Sequence, residues 1–334
     1  MTNQDIFQLR LASYPEGLPK SEHFERAHDA LPEVQDGQIA FETTWISIDP
    51  AMKGWVTQKR SYMPPVAIGE AMRAFGVAKV TESKHPKIQV GDWITGMLGV
   101  QSAGVLDARL VRKIDTSFAP PEKYLGGLGM TGYTAYFGLF DVAKPEPGQT
   151  VVVSAAAGAV GSVASQLAKM HGCKVIGIAG GLEKCNYLKQ TLKLHGTIDY
   201  KNQNVAEQLD KLAPQGIDVY FDNVGGQILD DVLMRINPHA RIAVCGAVSQ
   251  YENLDNMIGP KNYMQIITQS AIMQGFTMKD YIRRIPEAFT KLYNLEHKGE
   301  LILRDHIIEG IDNFTEGLRM IYAGENQGKL LLKL

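Results

Sequence analysis

Three textures of apolar and polar positions succeed one another along the chain. From residue 1 to about 125, short β-type runs cover Phe7 to Ala12, Gln38 to Ile48, Phe75 to Thr81, Trp93 to Gly99 and Ala108 to Lys113. Turn clusters such as Pro15-Glu16-Gly17 and Gln35-Asp36-Gly37 separate them. This spacing predicts an irregular, mainly antiparallel β-domain. From about Gly126 to Phe276 the pattern changes to strands alternating with helices. Thr150 to Ser154 is continuously apolar at its centre, as a strand covered on both faces requires. Val160, Val163, Ala164, Leu167 and Ala168 then recur at helical spacing. Lys174 to Ala179 predicts the next strand and Glu183 to Leu194 the next helix. Asp199-Tyr200, Ile217 to Phe221, Arg241 to Cys245 and Ile272 to Phe276 supply further strands. Repeated βα units of this kind build a doubly wound parallel sheet. After a helix predicted over Lys279 to Lys298, Ile302 to Glu309 and Lys329 to Lys333 return to the β texture of the first region. The expectation is a discontinuous β-rich domain, residues 1–126 and 301–334, around a continuous α/β domain, residues 127–300.

Composition narrows the class. At roughly 150 residues per domain, 334 residues make about two domains. With 45% hydrophobic and 21% charged residues, extensive disorder is excluded. A net charge of −2 leaves no basic surplus for nucleic acid or anionic lipid. The longest charge-free stretch, Pro147 to Ala168, has the length of a membrane span but reads as a strand followed by a helix rich in small and polar residues. Residues Met1 to Asp5 lack the basic start and apolar core of a secretory signal. Cys173, Cys185 and Cys245 form neither a disulfide framework nor a CxxC pair, and the eight histidines show no HExxH spacing. A metal-free cytoplasmic protein is expected.

The 33 glycines matter where they cluster. Between the strand ending at Ser154 and the following helix stands Ala155-Ala156-Ala157-Gly158-Ala159-Val160-Gly161, the context of a dinucleotide-binding turn. Gly158 would let the backbone approach a pyrophosphate, and Gly161 would let helix and sheet pack closely. The helix N-terminus would supply N–H donors. Ala156 replaces the first glycine of GxGxxG, and a packing turn is the competing reading. An NAD enzyme places a carboxylate about 20 residues on, at the end of the second strand. Here Gly180-Gly181 stand there, with Lys184 after them. A small loop followed by lysine admits and neutralises a 2′-phosphate, so NADP is preferred over NAD. Glu183 opposes that reading unless it favours the helix start, and Lys184 is otherwise a solvated helix lysine.

Longer segments carry a resemblance. They are Ser47 to Pro50, Ser61 to Gly69, Gly91 to Trp93, Gly129 to Leu139, Ala155 to Gly161, Ala179 to Cys185, Phe221 to Gly226, Cys245 to Tyr251 and Gly324 to Lys329. In this order they resemble a zinc-independent medium-chain dehydrogenase/reductase of the leukotriene B4 dehydrogenase/prostaglandin reductase group, nearest to the bacterial curcumin reductase-like enzymes. The resemblance implies a GroES-like catalytic domain, a Rossmann domain binding NADP(H), and homodimerisation through the Rossmann sheets. It implies cofactor contacts from Met130, Ala157, Gly158, Ala159, Val160, Gly161 and Gly181. Lys184 and Tyr200 would lie at the adenosine phosphate end, with Asn223, Cys245, Gly246, Ser249 and Tyr251 along the cofactor. Phe276 and Asn326 would flank the nicotinamide ribose.

The implied reaction is NADPH-dependent reduction of a carbon–carbon double bond conjugated to a carbonyl. Hydride reaches the β-carbon and the resulting enolate is stabilised, then protonated. Such chemistry needs orientation and a donor at the carbonyl oxygen more than a metal. Tyr251, Tyr62 and Tyr263 are the candidate substrate contacts or proton donors; each is otherwise a wall or core tyrosine. Three departures stand out. Ala51 replaces a tyrosine common in relatives, and Thr268 replaces a proton-donating tyrosine of eukaryotic double-bond reductases. Gly69-Glu70 stands where zinc-type relatives have Gly-His-Glu. Quinone reduction and non-catalytic NADPH binding are the competing functions.

Overall fold

The computed structural model describes residues 5–334. The chain divides into two compact units, Met1–Gly126 with Asp305–Asn326 and Leu330–Leu334, and Gly127–Arg304 with Gln327–Lys329. The first return to the β-rich unit thus begins at Asp305 rather than residue 301, and residues 327–329 go back to the second unit before the chain ends in the first.

The first unit starts with β1 (Asp5–Leu11), which pairs antiparallel with β2 (Phe24–Ala30). Next come β3 (Gln38–Ser47), β4 (Phe75–Ser83), β5 (Trp93–Met97), β6 (Ala103–Asp107) and β7 (Val111–Ile114). The expected strand over Ala108 to Lys113 is half correct. Asp107 accepts the Arg109 amide N–H at 2.8 Å and caps a single 3₁₀ turn, Ala108–Leu110, so the strand starts only at Val111.

The second unit supplies β8 (Thr150–Ser154), β9 (Lys174–Ala179), β10 (Gly196–Asp199), β11 (Ile217–Asp222), β12 (Ile236–Val244) and β13 (Ile272–Gly275). They form one sheet in the order β10-β9-β8-β11-β12-β13, and every pairing is parallel. This is the doubly wound dinucleotide-fold order, with the sequence reversing direction between β8 and β11. All of β8 is buried, and Val151, Val152 and Val153 have no exposed surface. Each such side chain contributes about 1.5–3 kcal/mol by leaving water, which fixes the strand that carries the glycine turn. Beyond β13, a 3₁₀ segment Met278–Arg284 leads into the helix Ile285–His297.

The chain then re-enters the first unit as β14 (Asp305–Glu309), the helix Phe314–Ala323 and β15 (Lys329–Lys333). Here β15 lies antiparallel to β3, with Leu331 opposite Ser47. The resulting sheet runs β14-β15-β3-β4-β5-β7, with β6 also on β3. Its core gathers Leu11, Ile46, Ile48, Met52 and Met72 with Phe314 and Leu318 from the returning helix. Burial of the two ends of the chain against each other is what makes this unit discontinuous.

Candidate functional site

In a parallel sheet of this order, ligands meet the loops beyond the strand carboxyl ends, around the reversal point. The second unit places there most of the residues expected from sequence. Beyond β8 runs the glycine turn. Ala155 holds a left-handed φ of +48°, which costs a non-glycine residue about 1–3 kcal/mol. Its carbonyl then lies so close that a Cβ on Gly161 would sit 2.3 Å from the oxygen. Gly158 is different: its φ is −83°, and a Cβ there would meet only the same oxygen at 3.1 Å. The chain therefore needs Gly161 for its own packing, whereas a methyl at Gly158 asks that oxygen to give by only a few tenths of an ångström. A ligand approaching that backbone would not tolerate that methyl. Gly158 is the N-cap of the helix Ala159–Met170 and provides no side-chain cap, leaving first-turn N–H groups for an anion. Ala157 is buried, whereas Ala159 and Val160 are half-buried.

Across the reversal point, beyond β11, Asp222 organises the opposite loop. Its Oδ1 accepts Ser154 Oγ–H at 3.1 Å, Tyr220 O–H at 2.8 Å, and the amides of Val224 and Gly225 at 2.9 Å. Asn223 closes the span: its amide N–H donates to Ser154 Oγ at 2.9 Å and its Nδ2 to the Ser154 carbonyl at 2.7 Å. Asn223 is thus a bridge between the two loops as well as a candidate cofactor contact. Burial raises the Asp222 pKa against the hydrogen bonds that lower it, and the same burial pushes the Tyr220 phenol up.

The loop beyond β12 is stitched to this one. The amides of Cys245 and Gly246 donate to the Asp222 carbonyl at 2.8 and 3.1 Å, and those of Val248 and Ser249 reach Asn223 and Val224. Burial, then Asp222, pushes the Cys245 thiol up to about 12, which removes it as a nucleophile at neutral pH. Tyr251 turns its hydroxyl back over Gly246, 3.5 Å from the Ala247 amide. Phe276, just beyond β13, packs edge-on against Phe221 at 6.4 Å and covers Gly138. Met130 opens the helix Met130–Phe137.

The end of β9 carries the second glycine pair. Gly181 has φ +93°, a conformation that favours glycine, and its amide donates to Asp199 Oδ1 at 2.7 Å. Asp199, at the end of β10, is the nearby carboxylate that sequence reasoning passed over. It also accepts the Lys201 amide at 3.1 Å and Asn202 Nδ2 at 2.8 Å. Burial opposes its charge, but these donors and Lys201 hold its pKa below the ordinary value. Its oxygens hold the loop together. The ring of Tyr200 lies over Gly180, where a Cβ would come within 2.8 Å of it. The Lys184 ammonium has a lowered pKa through burial first, then repulsion by Lys201 and Arg304, with Glu183 opposing. Lys201 and Arg304 were missed from sequence because one follows the third strand and the other lies 120 residues beyond Lys184 (304 − 184).

Tyr62 and Asn326 belong to the first unit and Tyr263 to the second. Tyr62 accepts the Trp55 indole N–H at 3.0 Å. Tyr263 stands 56% exposed, beside Met264 at 50% and near Ile267 at 67%, on the outer surface of the second unit.

Two family descriptions match the chain: "N-terminal domain of oxidoreductase" over residues 8–114 and "Zinc-binding dehydrogenase" over residues 159–294. The second names zinc, but among the described residues no three His, Cys, Asp or Glu side chains come together to hold a metal ion. The NADPH-dependent curcumin reductase of Escherichia coli is 37% identical over 97% of this chain and 95% of its own. The NADP(+)-dependent 2-alkenal reductase of Nicotiana tabacum is 36% identical over 96% and 95%. The crystal structure of CurA from Vibrio vulnificus in complex with NADPH superposes with a TM-score of 0.93, at 37% identity and 98% coverage of both chains. Sheet order, glycine turns and these similarities agree, and the chain belongs to the zinc-independent medium-chain dehydrogenases/reductases of the curcumin and prostaglandin reductase group.

Proposed function

We propose that this protein reduces the carbon–carbon double bond of α,β-unsaturated ketones and aldehydes, as a cytoplasmic homodimer. It is an NADP-dependent oxidoreductase. The observation that carries the cofactor reading is the end of β9, where two glycines and Lys184 stand and the Asp199 carboxylate is taken up by hydrogen bonds within the loop. Bound NADPH supplies the hydride. Gly158, Gly161 and the first turn of the helix Ala159–Met170 would hold its pyrophosphate, with Lys184 and Tyr200 at the adenosine end. Asn223 and the 245–251 loop would lie along its length.

The chain's own part in the chemistry is orientation, charge stabilisation and proton delivery. Hydride arrival at the β-carbon places negative charge on the carbonyl oxygen, and a preorganised phenol there lowers the barrier. Tyr251 is the first candidate because its hydroxyl belongs to a loop hydrogen-bonded to the Asp222–Val224 loop at the reversal point. Tyr62, which accepts the Trp55 indole N–H at 3.0 Å, is the second. Tyr263 fits this role less well, given its place on the outer surface. The relatives named for curcumin and 2-alkenal reduction support an enone or enal substrate.

The decisive experiment follows NADPH oxidation with a panel of enones, enals and quinones, using NADH as control. We expect turnover of conjugated alkenes with NADPH well above NADH. Turnover of quinones alone would overturn the assignment.

The dimer reading rests on β13, the last strand of its sheet. Its outer edge has no partner among the described residues, and Ile272 on it is 46% exposed. Met257, Ile258, Met264 and Ile267 add exposed apolar surface in the preceding segment. An open strand edge beside such a patch is a template for pairing with another chain, here a second copy. Sedimentation equilibrium should give twice the chain mass, and Ile272→Lys should shift it toward one chain. A monomer at micromolar concentration would reject this part.

A further inference from the structure

One charged residue beside the second glycine pair has no part in the function proposed above. Arg304 is the last residue of the long stretch of the second unit. Its guanidinium lies 4.9 Å over the Tyr187 ring and 3.4 Å from Glu183 Oε1, on the residue preceding Lys184. Its main chain is fixed from the other side. The carbonyl accepts the Lys329 amide at 2.9 Å and lies where a Cβ on left-handed Gly328 would sit, and Gly328 bridges to Gly158 in the first glycine turn. Lys201 completes the group, with its side chain 3.0 Å from the position a Cβ would take on Gly180. Three cations and two carboxylates, Glu183 and the loop-bound Asp199, thus surround the loop after β9, and Lys184 feels both other cations and Glu183.

We propose that Arg304 and Lys201, together with Lys184, receive the 2′-phosphate of NADPH, and that Glu183 holds Arg304 until the phosphate displaces it. This rests on the NADP reading above. Three positive charges less those of Glu183 and Asp199 leave a surplus of one, which release of Glu183 raises to two, and a phosphomonoester carries about −1.5 to −2 at neutral pH. The planar fork of arginine matches two phosphate oxygens at once, while the lysines act as point charges. Glu183 is 69% exposed and Arg304 31%, so their pair is screened by water and contributes little to the fold. A dianion among three cations is the stronger partner, and only a side-chain rotation is needed to exchange one for the other.

The two ends of the pair should then respond with opposite sign. Arg304→Gln should weaken NADPH by about tenfold, the loss of one charged hydrogen-bonding partner, and leave NADH unchanged. Glu183→Gln should tighten NADPH by roughly two- to fivefold by removing the competitor. In the double variant the Glu183→Gln gain should vanish, because no arginine remains to be released. Titration calorimetry on the full chain with NADPH, NADH and 2′,5′-ADP measures all of this without turnover. Arg304→Lys, which keeps charge but loses the fork, should restore part of the affinity, whereas a purely structural role on Tyr187 would show as a fall in Tm with no such rescue. Unchanged NADPH affinity in Arg304→Gln, alongside a loss in Lys184→Ala, would overturn this inference alone. Weaker NADPH binding in Glu183→Gln would overturn the displacement step. Wild-type indifference to the 2′-phosphate would reject the cofactor reading and this inference with it.

Discussion

Gly161→Ala should unfold the second unit at markedly lower temperature, while Gly158→Ala, three residues earlier, should barely move it. The new methyl at Gly161 would sit 2.3 Å from the Ala155 carbonyl oxygen and 2.9 Å from Ala156 Cα, both backbone atoms of the same turn. Neither can retreat by the ångström or so that this methyl would need. Ala155 already occupies a left-handed conformation, and Ala156 is buried with its amide donating to the Ile178 carbonyl at 3.0 Å in the sheet. Overpacking against backbone that cannot yield costs at least about 3 kcal/mol, the upper end for core insertions, and should appear as a fall in Tm of several degrees or more. At Gly158 the one near atom is 3.1 Å away and φ is ordinary, so the fold should lose under about 1 kcal/mol. There the loss should fall on NADPH affinity instead, because a methyl would stand between the backbone and a pyrophosphate. Thermal melts and NADPH titrations of both variants check the contrast. Equal destabilisation by both would remove the distinction between a packing glycine and a ligand-approach glycine.

That distinction shows how far the sequence could be read. The strand–turn–helix order around residues 150 to 168 was legible because β8 is buried on both faces and writes an unbroken apolar run. By contrast β2, Phe24–Ala30, has no buried residue and only Phe24 packed on the core, so no core face imposes a repeating pattern on it. The helix Phe314–Ala323 was lost behind Gly317, a poor helix former that is required because a Cβ would meet Ile48 Cδ1 at 2.3 Å. Both glycine turns and Lys184 could be found by position along one βα unit. Asp199, Lys201 and Arg304 could not, because only folding brings the third strand end and residue 304 to the loop after the second strand. Likewise, the sequence offers no hint that Asn223 spends its amide on Ser154. Local signals, in short-range turns and buried strands, survive in one dimension, but charge clusters assembled from separate strand ends do not.

Lys184→Ala should separate the two nicotinamide cofactors more than any other single change. Its ammonium is half-buried, and Lys201 and Arg304 already repel it, so an arriving dianion would relieve that repulsion. Loss of one charged hydrogen-bonding partner at such a site is worth about 1.5–3 kcal/mol, or roughly 10- to 150-fold in NADPH affinity. NADH has no 2′-phosphate and should bind within about twofold of the wild type. The lowered Lys184 pKa also gives the binding a pH dependence whose sign is fixed. Phosphate binding favours the protonated amine, so NADPH affinity should fall as pH rises through the depressed pKa, where the unliganded protein has lost that proton. NADH should show no matching slope, and Lys184→Ala should lack it for both cofactors. Binding titrations from pH 6 to 10 test the magnitude and the sign together. Equal weakening of NADPH and NADH would place Lys184 in the framework of the loop instead of at the phosphate.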